Sequence, residues 1–283
     1  MIDVNNLEYS YPGSTELTVK GISFSIENGE IFGFLGPSGA GKSTTQKILI
    51  GILSHFKGDI SIMDKRRKDW GADFFNHVGV GFELPNHYQK LTARENLTFF
   101  ASFYDKPVMD PLYLMGRVGL QDDADKKVEE YSKGMKMRLN FIRALMHDPD
   151  ILFFDEPTTG LDPVNARLIK DIILEEKQKG KTIFVTTHNM HDADELCDRV
   201  AFIVDGSIQL IDSPKALKVQ NGKRMVKVEY LNSKLEMKEF DMTGLADNNE
   251  FLNLLRSENI QSIHSEEASL DDIFIKVTGR HLQ

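Results

Sequence analysis

The sequence is short of several things, and each shortage removes a class of protein. It has one cysteine in 283 residues, Cys197, so an internal disulfide framework is excluded. The stretch around it, ADELCDRVAFI, holds no histidine or second cysteine at metal-ligand spacing, which leaves Cys197 as a small core residue. No apolar run approaches the roughly 18 residues that a membrane span needs. The N-terminus, MIDVNNLEYSYPG, lacks the basic and apolar segments of a signal peptide. The expected location is therefore cytoplasmic, with membrane contact made only through a partner. Positive charge is also scarce. Lys and Arg number 34 against 43 Asp and Glu, a net charge of −9, which counts against a general grip on nucleic acid. Internal repeats, low-complexity tracts and an N-K-x-D base-recognition motif are absent, and the last argues against a GTPase. What remains is ordinary globular composition, 41% hydrophobic and 27% charged, enough for a sizeable core. At this length the expectation is a main α/β domain with a small appendage.

The first informative pattern is at the N-terminus. Residues 2–9 and 22–26 alternate apolar and polar, which predicts strands, and IFGFL at 31–35 predicts a buried one. GPSGAGKST, residues 36–44, follows at once. After it TTQKILIGIL places Ile48, Leu49, Ile52 and Leu53 at helical spacing. Strand, glycine loop and helix form the context that a phosphate loop requires. Gly36, Gly39, Gly41, Lys42 and Ser43 fit G-x-x-x-x-G-K-[ST], and Pro37, Ser38, Ala40 and Thr44 complete the candidate contact set. Glycines let backbone N–H groups converge on phosphate at a helix N-terminus, the lysine neutralises charge, and the serine hydroxyl suits Mg²⁺.

From about residue 84 the pattern turns helical. Thr92 and Glu95 form a capping box ahead of ARENLTFFASFY, and helical sequence is expected to continue through Pro107 and Pro111 to about residue 147. Buried strands are expected to resume at DILFFDE (150–156) and KTIFVTTH (181–188), with a helix from about 163 to 179 between them. Asp155 ends the first of these strands, where a carboxylate can hold the Mg²⁺ water shell, and the adjacent Glu156 is a candidate to orient an attacking water. Beyond residue 220, MVKVEYL and KLEMKEF flank Asn232-Ser233 like a hairpin, NNEFLNLLRSE is helical, and Ser269 with Asp272 caps a last helix.

Between the phosphate loop and the acid pair stands YSKGMKMRLNFIRAL, after the pair comes PTTGLDP, and His188 ends FVTTH. This set, in this order, resembles the ATP-binding subunit of an ABC transporter over about residues 1–215. The resemblance implies an α/β fold: a P-loop ABC-type ATPase with an N-terminal antiparallel β region, an inserted helical subdomain at about 84–147, and a small C-terminal α+β accessory domain. The domains are expected at 1–220 and 221–283. The resemblance also makes Tyr11 the aromatic that stacks on adenine, Ser132 and Gly134 the signature contacts to the γ-phosphate, Asp162 the D-loop acid and His188 the switch histidine, with Glu156 catalytic. Each has a structural alternative: Tyr11 as a turn aromatic beside Pro12-Gly13, Ser132 as a plain cap of the helix from Lys133, His188 as a polar strand end.

Two motifs depart from the family pattern. The signature LSGGQ reads YSKGM here, with Lys133 at the first glycine and Met135 at the glutamine, and Glu83 stands where the Q-loop glutamine is usual. A carboxylate at 83 still offers an oxygen to Mg²⁺ but adds negative charge beside the nucleotide. YSKGM together with ASLDDIFIKVTGR resembles the branch that serves ABC-2-type exporters, including drug and antibiotic exporters, in which a C-terminal extension assists dimerisation or regulation or is a passive cap. The expected ligands are ATP and Mg²⁺. The expected partners are a transmembrane permease and a second ATPase subunit, identical or related, and no nucleic acid. The competing reading is a soluble mechanical ABC ATPase working on ribosomes or DNA. Such proteins usually carry two ATPase domains or long inserted coiled coils, and this chain shows neither.

Overall fold

The alternating N-terminal residues form β1 (Ile2–Tyr9) and β2 (Val19–Ile26), and the continuous apolar run forms β3 (Ile31–Leu35), buried along its whole length. The computed structural model describes residues 1–221, 225–232, 234–266 and 268–279. After the glycine loop comes α1 (Lys42–Leu49), shorter than its apolar spacing predicts. Ile50 caps it and Gly51, at φ 84°, turns the chain out of the helix, so Ile52 is 55% exposed instead of joining the apolar face. Arg67 fixes this end. Its guanidinium donates to the carbonyls of Leu49 (2.9 Å) and Ile50 (2.8 Å), groups that a helix terminus leaves without intrahelical partners. With β4 (Lys57–Ile62) and β5 (Lys65–Arg66), the first two strands make an antiparallel sheet in the order β2-β1-β4-β5.

The central sheet continues with β6 (Val78–Gly81), and the helical region follows. α2 (Ala93–Ala101) opens with both halves of the Thr92–Glu95 capping box formed. The helical region expected here is built from separate short pieces. Proline cannot continue a helix; after Pro107 the chain restarts at Asp110, which caps α3 (Pro111–Arg117) with Pro111 in its first turn. Two short 3₁₀ turns at 121–123 and 128–130 lead to α4 (Lys133–Leu145), capped by Ser132. Then come β7 (Ile151–Asp155), α5 (Pro163–Gln178), β8 (Thr182–Thr187), α6 (Met190–Leu196), β9 (Arg199–Val204) and β10 (Ser207–Asp212).

The resulting sheet has the order β10-β9-β3-β8-β7-β6, parallel except at its antiparallel edge strand β10. Phe184 on β8 lies at its centre, with ring centroids 5.5 Å from Phe34 and 5.6 Å from Phe153. Burying one such side chain stabilises the fold by about 1.5–3 kcal/mol. Cys197 packs against β3 at Gly33, where a Cβ would stand 2.6 Å from its sulfur. The thiol is buried, and burial pushes its pKa up. Because β8 lies between β3 and β7, the segments that leave the carboxyl ends of all three strands emerge side by side, the usual place for a ligand in a parallel α/β sheet.

By its internal contacts the chain divides after Asp212. The second unit contains α7 (Pro214–Asn221), β11 (Met225–Leu231), β12 (Leu235–Asp241), α8 (Asn249–Ser257), β13 (Asn259–Glu266) and α9 (Leu270–Thr278). Its antiparallel sheet runs β12-β11-β13, and Val226, Val228 and Phe240 form its core with Phe251 and Leu254 packed on them. The Ser269–Asp272 capping box of α9 is formed. Ser233, the second residue of the expected hairpin turn, lies outside the described residues. No strand was expected where β13 runs, because NIQSIHSE has only Ile260 and Ile263 as apolar signal.

The expected boundary at residue 220 falls at the end of α7, and α7 groups with the second unit, where Asn221 accepts from Lys276 at 3.2 Å. A chain ending at Asp212 should therefore fold and bind ATP, since both sheets of the first unit are complete without α7. Fluorescent-nucleotide titration of the soluble truncation checks this. An insoluble or non-binding product would place the second unit in the nucleotide fold.

Candidate nucleotide site

The glycine loop is shaped by close approach. A Cβ on Gly36 would stand 2.1 Å from the carbonyl oxygen of Ile203, so only glycine fits where the loop leaves β3. Gly41, at φ 103°, holds the left-handed conformation from which α1 starts. Lys42, the first residue of α1, is buried, and its Nζ donates to the carbonyls of Gly36 (2.6 Å) and Pro37 (3.0 Å). Burial lowers its pKa, while Glu156, Asp155 and Glu83 act to raise it. One ammonium thus sits in the field of three carboxylates.

Ser43 Oγ donates to Asp155 Oδ1 at 3.2 Å, and Thr186 Oγ1 donates to the same oxygen. Glu156 follows at φ 51°, a left-handed backbone on a non-glycine residue, which costs about 1–3 kcal/mol and occurs mostly at functional sites. Its N–H donates to Thr186 O at 2.9 Å. Its carboxylate is held on both oxygens. Oε1 lies 2.7 Å from His188 Nδ1, and Oε2 accepts from Thr159 Oγ1 at 3.0 Å and Thr187 Oγ1 at 3.2 Å. Sequence reasoning named Glu156 and His188 but missed these two hydroxyls. The only signal for them was the second threonine of PTTG and of VTTH, whose side-chain directions no local pattern specifies.

Around a cleft of about 400 Å³ the fold gathers Tyr11, Ser38, Gly39, the run Gly41 to Thr44, Glu83, Glu156 and His188. Tyr11 is 40% exposed, and its hydroxyl lies 3.0 Å from Thr44 Oγ1. Gly36 and Pro37 stand behind the loop as acceptors for Lys42, Ala40 is buried beneath it, and Asp155 reaches the site through Ser43. A larger hollow of about 580 Å³ beside Trp70 holds none of the motif residues; chemistry, not volume, marks the site.

Three further predicted residues neither line this cleft nor stand behind its loop. Ser132 caps α4, its Oγ accepting from Met135 N at 3.2 Å, and Gly134 is the second residue of that helix. Asp162 caps α5, accepting from the N–H groups of Val164 and Asn165, each at 3.1 Å. In one chain the site is therefore half of what the resemblance implies.

Comparison with known proteins agrees with this geometry. Residues 19–159 match the ABC transporter family, and residues 224–267 match the fluoroquinolone efflux ABC transporter C-terminal domain. A fluoroquinolones export ATP-binding protein of Mycobacterium tuberculosis (strain ATCC 25618 / H37Rv) is 56% identical across 100% of this chain and 94% of its own length. The Nod factor export ATP-binding protein I of Burkholderia orbicola (strain AU 1054) is 34% identical across 100% and 98%. Among solved structures, an ATP-binding subunit of an ABC transporter superposes with a TM-score of 0.70 at 27% identity, over 78% of this chain and 92% of that one. A dimeric ATP-binding cassette in a post-hydrolysis state, bound to ADP and Pi, superposes with a TM-score of 0.69 at 25% identity, over 75% and 98%. With a phosphate loop, an acid pair and a histidine drawn around one cleft, and with relatives matched over its whole length, the chain belongs to the ABC transporter family as an ATP-binding, ATP-hydrolysing subunit.

Proposed function

We propose that this chain is the motor subunit of an ABC-2-type exporter for drug-like molecules, fluoroquinolones among them, and that it drives a separate permease. The observation that carries this reading is the half-site: the phosphate loop, Glu156 and His188 line the cleft, with Asp155 bonded to Ser43 behind it, whereas Ser132 and Gly134 lie outside it. Two subunits arranged head to tail bring one chain's signature to the other's nucleotide, completing two sites at once. The dimeric form of the solved cassette supports this, and the two relatives named for export support the direction. Among the described residues no helix is long and apolar enough to cross a membrane, so the transport path belongs to the permease, with this chain at its cytoplasmic face.

Within the site each group has a task. Loop N–H groups and Lys42 bind the phosphates, and the half-exposed Tyr11 ring stacks on adenine. Ser43 and Asp155 offer adjacent hard oxygens that fit Mg²⁺, which when bound neutralises phosphate charge. Among the described residues no group of three or more His, Cys, Asp or Glu side chains is placed to hold a metal ion by itself. Glu156 takes the proton of the attacking water, positioned for it by Thr159, Thr187 and His188. Asp162 holds the start of α5 beside the interface.

Glu83 lines the cleft within reach of Lys42's charge. Removing its charge by Glu83→Gln should shift the Mg²⁺ concentration for half-maximal ATPase by about two- to fivefold with the fold intact. Superimposable Mg²⁺ titrations would take Glu83 out of the metal's surroundings. The function itself is tested by purification from detergent-solubilised membranes. A small integral membrane protein should come down with the chain; recovery with ribosomes or DNA and no membrane protein would overturn the exporter reading.

A further inference from the structure

The two departures from the family pattern carry opposite charges, and neither has an ion pair among the described residues of its own chain. Glu83 is exposed and lines the nucleotide cleft, where it joins Asp155 and Glu156 as the third carboxylate acting on Lys42. ATP brings further negative charge to this place. Lys133, the first residue of α4, is exposed and lies against Gly160, where a Cβ would stand 3.3 Å from its Nζ. It belongs to a helix with no acid at all: KGMKMRLNFIRAL carries Lys133, Lys136, Arg138 and Arg143. Arg138 and Arg143 are used internally, donating to the carbonyls of Val118 and Asn86. Lys133 is not. A chain of net charge −9 thus presents an acidic cleft and, away from it, a cationic helix start whose own dipole adds positive potential.

We infer that these two residues compensate each other across the dimer: Glu83 of one subunit pairs with Lys133 of the other in the same composite site. The inference rests on the head-to-tail sandwich proposed above and names what makes it selective. A carboxylate at 83 would repel the nucleotide if it stood alone; a lysine in the facing signature restores the balance and favours a partner that carries it. A carboxylate has two oxygens, so an oxygen turned to the Mg²⁺ shell leaves the other for the ammonium.

Charge reversal tests this in trans. All chains carry Glu156→Gln to hold the ATP dimer. Lys133→Glu alone gives homodimers with two acid–acid contacts, and Glu83→Lys alone gives two lysine–lysine contacts. Mixed, the two variants pair glutamate with lysine at both sites. At about 0.15 M salt, where charges farther than about 8 Å are screened, ATP should trap the mixed dimer in roughly tenfold excess over either homodimer. A mixture at the statistical share, with the unreversed Glu156→Gln chain dimerising normally, would overturn the pairing. Failure of that unreversed chain to dimerise with ATP would overturn the sandwich instead. If a reversed chain loses ATP binding, neutral variants decide: Lys133→Gly should weaken the dimer and added Glu83→Gln should restore it, whereas additive losses would refute the pairing.

Discussion

Glu156→Gln should bind ATP as the unaltered chain does yet hydrolyse it about 10²-fold more slowly or worse, the usual scale for loss of a positioned base. The substitution keeps size and shape, so the phosphate loop and the Ser43–Asp155 contact are untouched. What changes is the proton acceptor. The carboxylate takes hydroxyl hydrogen bonds from Thr159 and Thr187 on one oxygen and meets His188 on the other. An amide satisfies most of these contacts but cannot accept a proton from water at neutral pH. Closure without hydrolysis should accumulate an ATP-dependent dimer, visible by size-exclusion chromatography. Near-unaltered turnover by the purified variant would remove Glu156 from the chemistry and direct the search to another base.

The second large effect is rescue by mixing. Lys42→Ala removes the ammonium that the loop holds within 3.0 Å of two of its own carbonyls. Ser132→Phe blocks the start of α4, where the serine is exposed. In the proposed sandwich each variant alone has two damaged sites, because each site takes a loop from one chain and a signature from the other. In the mixed dimer both lesions fall into the same site, and the other is intact. Mixing two inactive proteins should therefore restore nucleotide occlusion at one site per dimer, up to about half the unaltered level when every dimer is mixed. The doubly substituted chain, mixed with itself, should recover nothing. Trapped nucleotide is the better readout, since hydrolysis can require both sites. Dimers that form but trap no more than either variant alone would show that the site is not shared.

The parts of this molecule legible in the sequence are those fixed by local physics. The glycine loop was readable because only glycine tolerates its close approach and left-handed turn, and both capping boxes because cap and partner lie three residues apart. β3, β7 and β8 stood out as continuous apolar runs. What was not legible depends on residues far apart. α1 ends at Ile50 and Gly51, and the carbonyls left there are satisfied by Arg67, which reaches back across 18 and 17 residues to Leu49 and Ile50. β13 exists because β11 offers it an edge, not because its own sequence demands a strand. The clasp around Glu156 combines two segments, its own stretch to Thr159 and Thr187-His188 at the end of β8, 31 and 32 residues on. Ser132 looked like either a cap or a phosphate contact; in the single chain it is a cap, and the phosphate contact belongs to the proposed dimer.

The burial of Cys197 against Gly33 has a practical consequence. A thiol sealed in the core, its deprotonation suppressed, is a poor target for maleimides and disulfide exchange. The native chain is thus already a silent background for site-directed labelling. Cysteines introduced singly at exposed positions outside the nucleotide cleft can be cross-linked or spin-labelled without first removing the natural one. The closure of the proposed dimer on ATP then becomes directly measurable as a distance. The same natural thiol, reacting only when the sheet opens, times the unfolding of the domain.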